Sequence, residues 1–244
     1  MGIWPFGGKV KSLRDSGFLN GATDWHSHIL PGVDDGIKTM EDSLKALDMM
    51  EKLGVKTLWL TPHVMEDVPN ETAFLRERFE ELKNEYKGSI KLHLAAENML
   101  DYLFEDRLAA GDVLPIGEEG RHLLVETSYF NPPMNLRRLL EDIKRKGYFP
   151  VLAHPERYRY MELDDYQELK DAGVVFQANY FSLVGGYGNT AQKKLEWLLK
   201  NGMIDLVGSD LHRPRVLEAL IEKSPRKSSH IELLKGVTST RNSL

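Results

Sequence analysis

The stretch LRRLLEDIKRKGYFPVLAHPER, residues 136–157, decides the fold class. Leu136, Leu139, Leu140 and Ile143 recur at helical spacing and make one apolar stripe. Gly147 follows that stripe, where a helix C-cap favours a left-handed residue. Phe149–Ala153 then reads as a buried strand, and the strand ends on His154. Helix, glycine, strand and a polar strand end together make one unit of a parallel α/β sheet.

The same unit recurs outward in both directions. Further strands are predicted at Thr23–Trp25, Thr57–Thr61, Lys91–Ala95, Leu123–Glu126, Val174–Ala178 and Leu206–Gly208. Helical stripes run through Met40, Leu44 and Leu47, through Leu75, Phe79 and Leu82, and through Leu195, Leu198 and Leu199. Gly54, Gly173 and Gly202 close helices in the manner of Gly147. Such units suit either a closed barrel or a doubly wound open sheet. The expected organisation is one domain over residues 21–244 with a C-terminal helical tail, preceded by an N-terminal extension over residues 1–20. Trp4 and Phe6 in that extension would dock on the barrel or on a neighbouring subunit, so a homo-oligomer is conceivable.

The 244 residues are 41% hydrophobic and 28% charged, enough apolar material for a sizeable core. Against 32 Lys and Arg stand 37 Asp and Glu, a formal charge of −5, so no basic footprint for nucleic acid shows in the overall balance. No run reaches the roughly 18 apolar residues that span a bilayer, nor a signal-peptide pattern. A cytoplasmic protein is expected. The absence of cysteine removes disulfides, thiolate metal sites and every cysteine-nucleophile mechanism.

The chemistry stands at the strand C-termini. The first strand runs into His26 and His28, the second into His63, the third into Glu97, the fourth into Glu126, the fifth into His154 and the last into Asp210 and His212. In a β/α barrel these ends meet at one face. The i, i+2 pairs His26/His28 and Asp210/His212 point the same way along extended chain. Asp34 or Asp35 adds a further carboxylate. Nitrogen and oxygen donors without sulfur suit Mn, Fe or Zn. Two or three divalent ions fit this number of ligands, with Glu97 placed to bridge, and clustered metals serve phosphoester hydrolysis. His93, His122 and His230 have no partner pattern and are expected outside the site.

Arg157 fits a phosphate clamp or a surface salt bridge with Glu156 or Glu162, and Arg213 and Arg215 leave the same choice. Tyr129-Phe130 and Tyr180-Phe181 fit either an aromatic wall or packing. Gly185-Gly186-Tyr187-Gly188 reads as a flexible loop, since it lacks the phosphate-loop lysine.

The stretch Asp24-Trp25-His26-Ser27-His28-Ile29-Leu30-Pro31-Gly32-Val33-Asp34-Asp35-Gly36 resembles the opening motif of the PHP (polymerase and histidinol phosphatase) superfamily. With His154-Pro155-Glu156-Arg157-Tyr158 and Ser209-Asp210-Leu211-His212 it is similar, more narrowly, to the capsule-type bacterial tyrosine-protein phosphatases of the CpsB/YwqE group. The resemblance covers roughly residues 21–215. It implies a distorted (β/α)7 TIM-like barrel with three metals, commonly manganese, that hydrolyses phosphotyrosine by a metal-bridged hydroxide. One ion would take His26, His28, Glu97 and Asp210; a second would share Glu97 and take Glu126 and His154; a third would take Asp35, His63 and His212. Arg157 matches the family's phosphate-binding arginine, and Arg213 or Arg215 would be the second. The implied partner is a bacterial tyrosine kinase of exopolysaccharide or capsule synthesis. Rival readings are a small-molecule phosphate monoesterase of the histidinol-phosphate phosphatase kind, and a non-catalytic regulatory binder of phosphopeptides that keeps its metals.

Overall fold

The computed structural model describes residues 10–240. Nine parallel strand segments form two ladders. One ladder holds β1 (Thr23–Ser27), β2 (Thr57–Leu60) and β4 (Lys91–Leu94) in that order. The other runs β3 (His63–Val64), β5 (Glu97–Met99), β6 (His122–Glu126), β7 (Phe149–Ala153), β8 (Val175–Asn179) and β9 (Leu206–Gly208). Two of the predicted strands end at breaks, Thr61-Pro62 and Ala95-Ala96, and the chain resumes extended beyond each as β3 and β5, which is why the segments outnumber the predicted strands. The ladders stay stitched across the breaks: Ala95 N donates to Leu60 O at 2.8 Å, and Glu97 N to Pro62 O at 3.0 Å.

The sheet curls back on itself. Asp210 N donates to His26 O at 2.8 Å and His28 N to Leu211 O at 3.1 Å, which joins the chain after β9 to β1. The stripes read from sequence become α2 (Met40–Lys52), α3 (Thr72–Glu85), α5 (Leu136–Arg145) and α7 (Gly188–Lys200), and all four predicted closing glycines have positive φ. Between them the chain adds α1 (Leu13–Ser16), α4 (Tyr102–Ala110) and α6 (Leu163–Asp171). The tail forms α8 (Pro214–Ile221) and α9 (Ser228–Thr240).

Two apolar layers hold this arrangement. Inside the curl, Trp25 and Trp59 stack with ring centroids 5.9 Å apart, among Leu124, Val151, Ala153 and Leu206. Outside it, Leu58, Leu123, Leu152, Phe176 and Val207 belong to the larger core shared with the helices. Residues before 21 contribute to that core. Leu13, Phe18 and Leu19 are buried in it, so the packed structure begins ahead of the boundary predicted at residue 20. Full burial of each such side chain contributes about 1.5–3 kcal/mol. Trp4 and Phe6 lie outside the described residues.

A bulge in β1 sets the direction of the first motif. Asp24 pairs with Leu58 and Ser27 with Leu60, so β1 spends one residue more than β2 over this interval. The extra residue resets the alternation. Trp25 therefore fills the interior plug while His26 and His28, beyond the bulge, also turn inward above it.

Candidate metal centre

His26, His28, Glu97 and Asp210 converge above the tryptophan plug, and all four are buried. His26 Nε2 and His28 Nε2 each lie 3.2 Å from Glu97 Oε2, and they stand 3.7 and 3.4 Å from Asp210 Oδ1. His154 Nε2 reaches Glu97 Oε1 at 2.9 Å, and His63 Nδ1 lies 3.0 Å from Glu126 Oε1 and 3.1 Å from Glu97 Oε2. Asp35 Oδ1 stands 3.5 Å from His63 Nε2 and 3.3 Å from His212 Nε2. All nine candidate ligands read from the strand ends and the first loop thus meet in one cluster. They fall into four overlapping groups: His28, Asp35, His63 and His212; His26, His28 and Asp210; His26, Glu97 and His154; and His63, Glu97 and Glu126.

Strained and close-packed backbone holds the ligands in place. His154 and Asp210 have φ of 35° and 52°, left-handed values that cost a non-glycine residue free energy and cluster at functional sites. Gly208 lets the chain pass His26, since a Cβ there would lie 2.5 Å from the His26 Cβ. Gly36 does the same for the His28 carbonyl, at 2.3 Å.

The donor set fits a cation. Gln177 Nε2 is committed to Ala178 O at 2.8 Å and Asn179 Oδ1 at 3.2 Å, so its Oε1 accepts from His26 Nδ1 at 2.7 Å. Asp34 Oδ2 accepts from His28 Nδ1 at 2.8 Å. Both Nε2 atoms are then left with lone pairs, yet they face each other at 3.0 Å. His63 Nδ1, Glu97 Oε2 and Glu126 Oε1 form a second such point: each is buried and has no hydrogen-bond partner among the described residues, although they crowd together. A shared cation resolves both. Without one, protons take its role. Burial depresses His26 and His28, but Glu97 with Asp210, and Asp34, outweigh it and raise both. Burial raises Glu97, but the surrounding histidines hold it well below the usual carboxylate range.

A profile of the capsular polysaccharide synthesis family CpsB/CapC matches residues 22–228. The chain belongs to the CpsB/CapC family. It is 32% identical over 195 residues to the tyrosine-protein phosphatase YwqE of Bacillus subtilis, covering 78% of this chain and 76% of that protein. It is 28% identical over 220 residues to the putative tyrosine-protein phosphatase CapC of Staphylococcus aureus, covering 86% of each. A solved structure from work on YwqE and on CpsB from Streptococcus pneumoniae, described as unique metal-dependent tyrosine phosphatases, superposes with TM-score 0.73 at 26% identity and covers 90% of this chain and 88% of that one. A lactonase from Listeria monocytogenes shares the fold alone, at 13% identity and TM-score 0.54 over 91% of this chain and 88% of that one.

In this CpsB/CapC chain the two neighbouring aspartates part company. Asp34 is buried behind His28, whereas the Asp35 side chain is 71% exposed and faces His63 and His212. Arg157 joins the cluster, donating to Asp210 Oδ2 at 2.5 Å, with its guanidinium 4.4 Å from the Tyr129 ring and 4.3 Å from the Tyr187 ring. Burial depresses Arg157, but Asp210 beside it holds it above its ordinary value. Arg213 and Arg215 are exposed at the start of α8 and line a small cleft with Lys38 and His212.

Several residues that support the site carried no such reading in the sequence. Gln177 orients His26, and Asn179 Nδ2 donates to Asp210 Oδ2 at 2.7 Å. Their i, i+2 spacing at the end of β8 repeats that of the histidine pair, a signal their uncharged side chains concealed. Tyr187 donates to the same Asp210 oxygen at 3.1 Å, so the glycine-rich segment delivers a site residue. Tyr180 and Phe181 are core side chains and make no aromatic wall, whereas Tyr129 stands beside His154 and Arg157. His93, His122 and His230 pack against Trp59, Phe149 and Glu196 respectively, away from the cluster.

Proposed function

We propose that this chain is a metal-dependent tyrosine-protein phosphatase of capsule or exopolysaccharide synthesis, acting in the cytoplasm on a phosphorylated tyrosine kinase. The family membership and the named relatives support the activity. The observation that carries the reading is the convergence of His63 Nδ1, Glu97 Oε2 and Glu126 Oε1, buried and lacking hydrogen bonds among the described residues, beside the facing Nε2 atoms of His26 and His28.

His26, His28, Glu97 and Asp210 would hold one divalent cation, Glu97, Glu126 and His154 a second, and Asp35, His63 and His212 a third, with manganese the first choice and iron or zinc chemically acceptable. Bound cations supply positive charge for the phosphoryl oxygens and lower the pKa of water for attack. The chain supplies the rest. Gln177 and Asp34 fix the histidine tautomers, so Nε2 presents a lone pair in each case. Arg157, held by Asp210 and two tyrosines, presents a fixed guanidinium for phosphoryl oxygens. Arg213 and Arg215, at the adjoining cleft, would add positive charge to the rim.

The test is hydrolysis of a phosphotyrosine peptide by metal-stripped protein with manganese restored, beside His154→Ala. Turnover should require the metal and be lost in the variant, and thiol alkylation should leave it unchanged because the chain has no cysteine. Full turnover in excess chelator after verified metal loss rejects the proposal.

A further inference from the structure

A cleft of about 560 Å³ opens beside the cluster, and Arg157 forms its inner wall. Its outer lip carries Arg159 and Phe130. The Arg159 guanidinium lies 4.8 Å from the Phe130 ring, while the Phe130 side chain remains 59% exposed. Arg159 forms no ion pair among the described residues, so its guanidinium has no carboxylate partner, in contrast to the surface arginines at positions 14, 137, 138 and 226 but in common with the exposed Arg76, Arg121, Arg213 and Arg215. Among the described residues the one acidic side chain lining the cleft is Glu156, whose Oε1 is turned to the interior, accepting from Ser182 Oγ at 2.7 Å and Asn179 N at 3.0 Å. Opposite stands the first turn of α7, which contains no acidic residue, and its Asn189 is held by Arg226. A chain with a formal charge of −5 has thus gathered cations around the approach to one side of its metal cluster.

The geometry points to this cleft as a subsite for an acidic residue next to the phosphotyrosine, with Arg159 as the residue that selects it. This rests on the phosphatase reading and specifies its substrate class: an acidic peptide segment. Arg157 is spent on Asp210 and the phosphoryl group, being clamped between two rings. Arg159, two residues on and exposed, is free to reach a carboxylate on the flanking chain. Phe130 beneath it limits the guanidinium's freedom, so less entropy is lost when the ion pair forms.

Binding can be read apart from turnover. Manganese-loaded protein is titrated with peptides carrying a non-hydrolysable phosphonate analogue of phosphotyrosine, flanked by Glu, by Gln or by Lys, at physiological ionic strength. The Glu-flanked peptide should bind roughly tenfold more tightly than the Gln-flanked one, the scale of one partly exposed charge-assisted contact. Arg159→Ala should erase that ratio, and Arg159→Glu should turn the preference to the Lys-flanked peptide. Equal binding of the Glu and Gln peptides by the parent protein, an unchanged ratio in Arg159→Ala, or no binding of any peptide overturns the inference. Hydrolysis of free phosphotyrosine by the same preparation reports separately on the phosphatase reading.

Discussion

Asp34 Oδ2 accepts a hydrogen bond from His28 Nδ1 at 2.8 Å and another from the His63 backbone N–H at 3.0 Å. One buried carboxylate therefore fixes the ring of one proposed ligand and the backbone of a second. Asp34→Asn keeps the shape and removes the charge. Metal affinity is expected to fall by about 10- to 100-fold, the usual cost of losing such an orienting partner. Competition with a chelator of known affinity measures it, and an unchanged affinity would show that His28 needs no support.

Asp35 behaves differently because it reaches the cluster from an exposed position in the first loop and lies nearest His63 and His212. Asp35→Asn is expected to lower the bound metal by about one ion per chain in a three-ion site, leaving the ions at the buried ligands in place. Elemental analysis after gel filtration counts them. Loss of every ion would place Asp35 at the heart of the site instead.

Arg157 is positioned by shape as well as charge, since a flat guanidinium lies against two rings and donates to Asp210. Arg157→Lys preserves the charge and loses the stacking and the fork. We expect kcat/KM on a phosphotyrosine peptide to fall by roughly 10²-fold with metal content unchanged. An effect below threefold would mean that a point charge suffices.

Glu156 titrates unusually. Burial pushes its carboxyl from an ordinary 4.5 up to about 7, opposed by hydrogen bonds from Ser182 and Asn179. A carboxyl raised in the folded state holds its proton more tightly there than in the unfolded chain. Its contribution to stability is therefore full below pH 4.5, declines as pH rises, and is lost above about pH 7. The expected slope in this window is at most about 1.4 kcal/mol per pH unit. Glu156→Gln should remove it, so that metal-free variant and parent diverge in urea-unfolding stability as pH rises from 5 to 7 (~2 units). Parallel curves would show that Glu156 keeps an ordinary pKa.

Much of this was legible along the chain. The stripe from Leu136 to Ile143, Gly147 and the strand ending at His154 specify a helix, a cap and a buried strand by local rules, and the structure has all three. Eight of the nine candidate ligands were legible because His, Asp and Glu stood at strand ends, where a parallel sheet gathers them, whereas Asp35, in the first loop, was told from Asp34 only by the family resemblance. Tyr180 and Phe181 were ambiguous because an aromatic just past a strand end can line a site or fill a core, and only packing separates the two. Gln177, Asn179 and Tyr187 were passed over since an uncharged side chain reveals its role only through the partner it meets.

The sequence by itself determined the periodicities, the cap positions and the types of donor atom, all of them properties of residues a few positions apart. Only the tertiary structure decided which donors share a point. The extra residue in β1 turns both Trp25 and His26 inward, against the strict alternation that a strand pattern assumes. Left-handed backbone at His154 and Asp210 aims those side chains from different strands toward Glu97 and His26. Asp34 and Asp35 are chemically identical in the sequence, and the closing of the first loop over His28 sends one behind the histidine and the other toward His63 and His212. Apart from Asp34 on His28, these are contacts between residues far apart in the chain, brought together when the sheet curls and joins β1 to the end of β9.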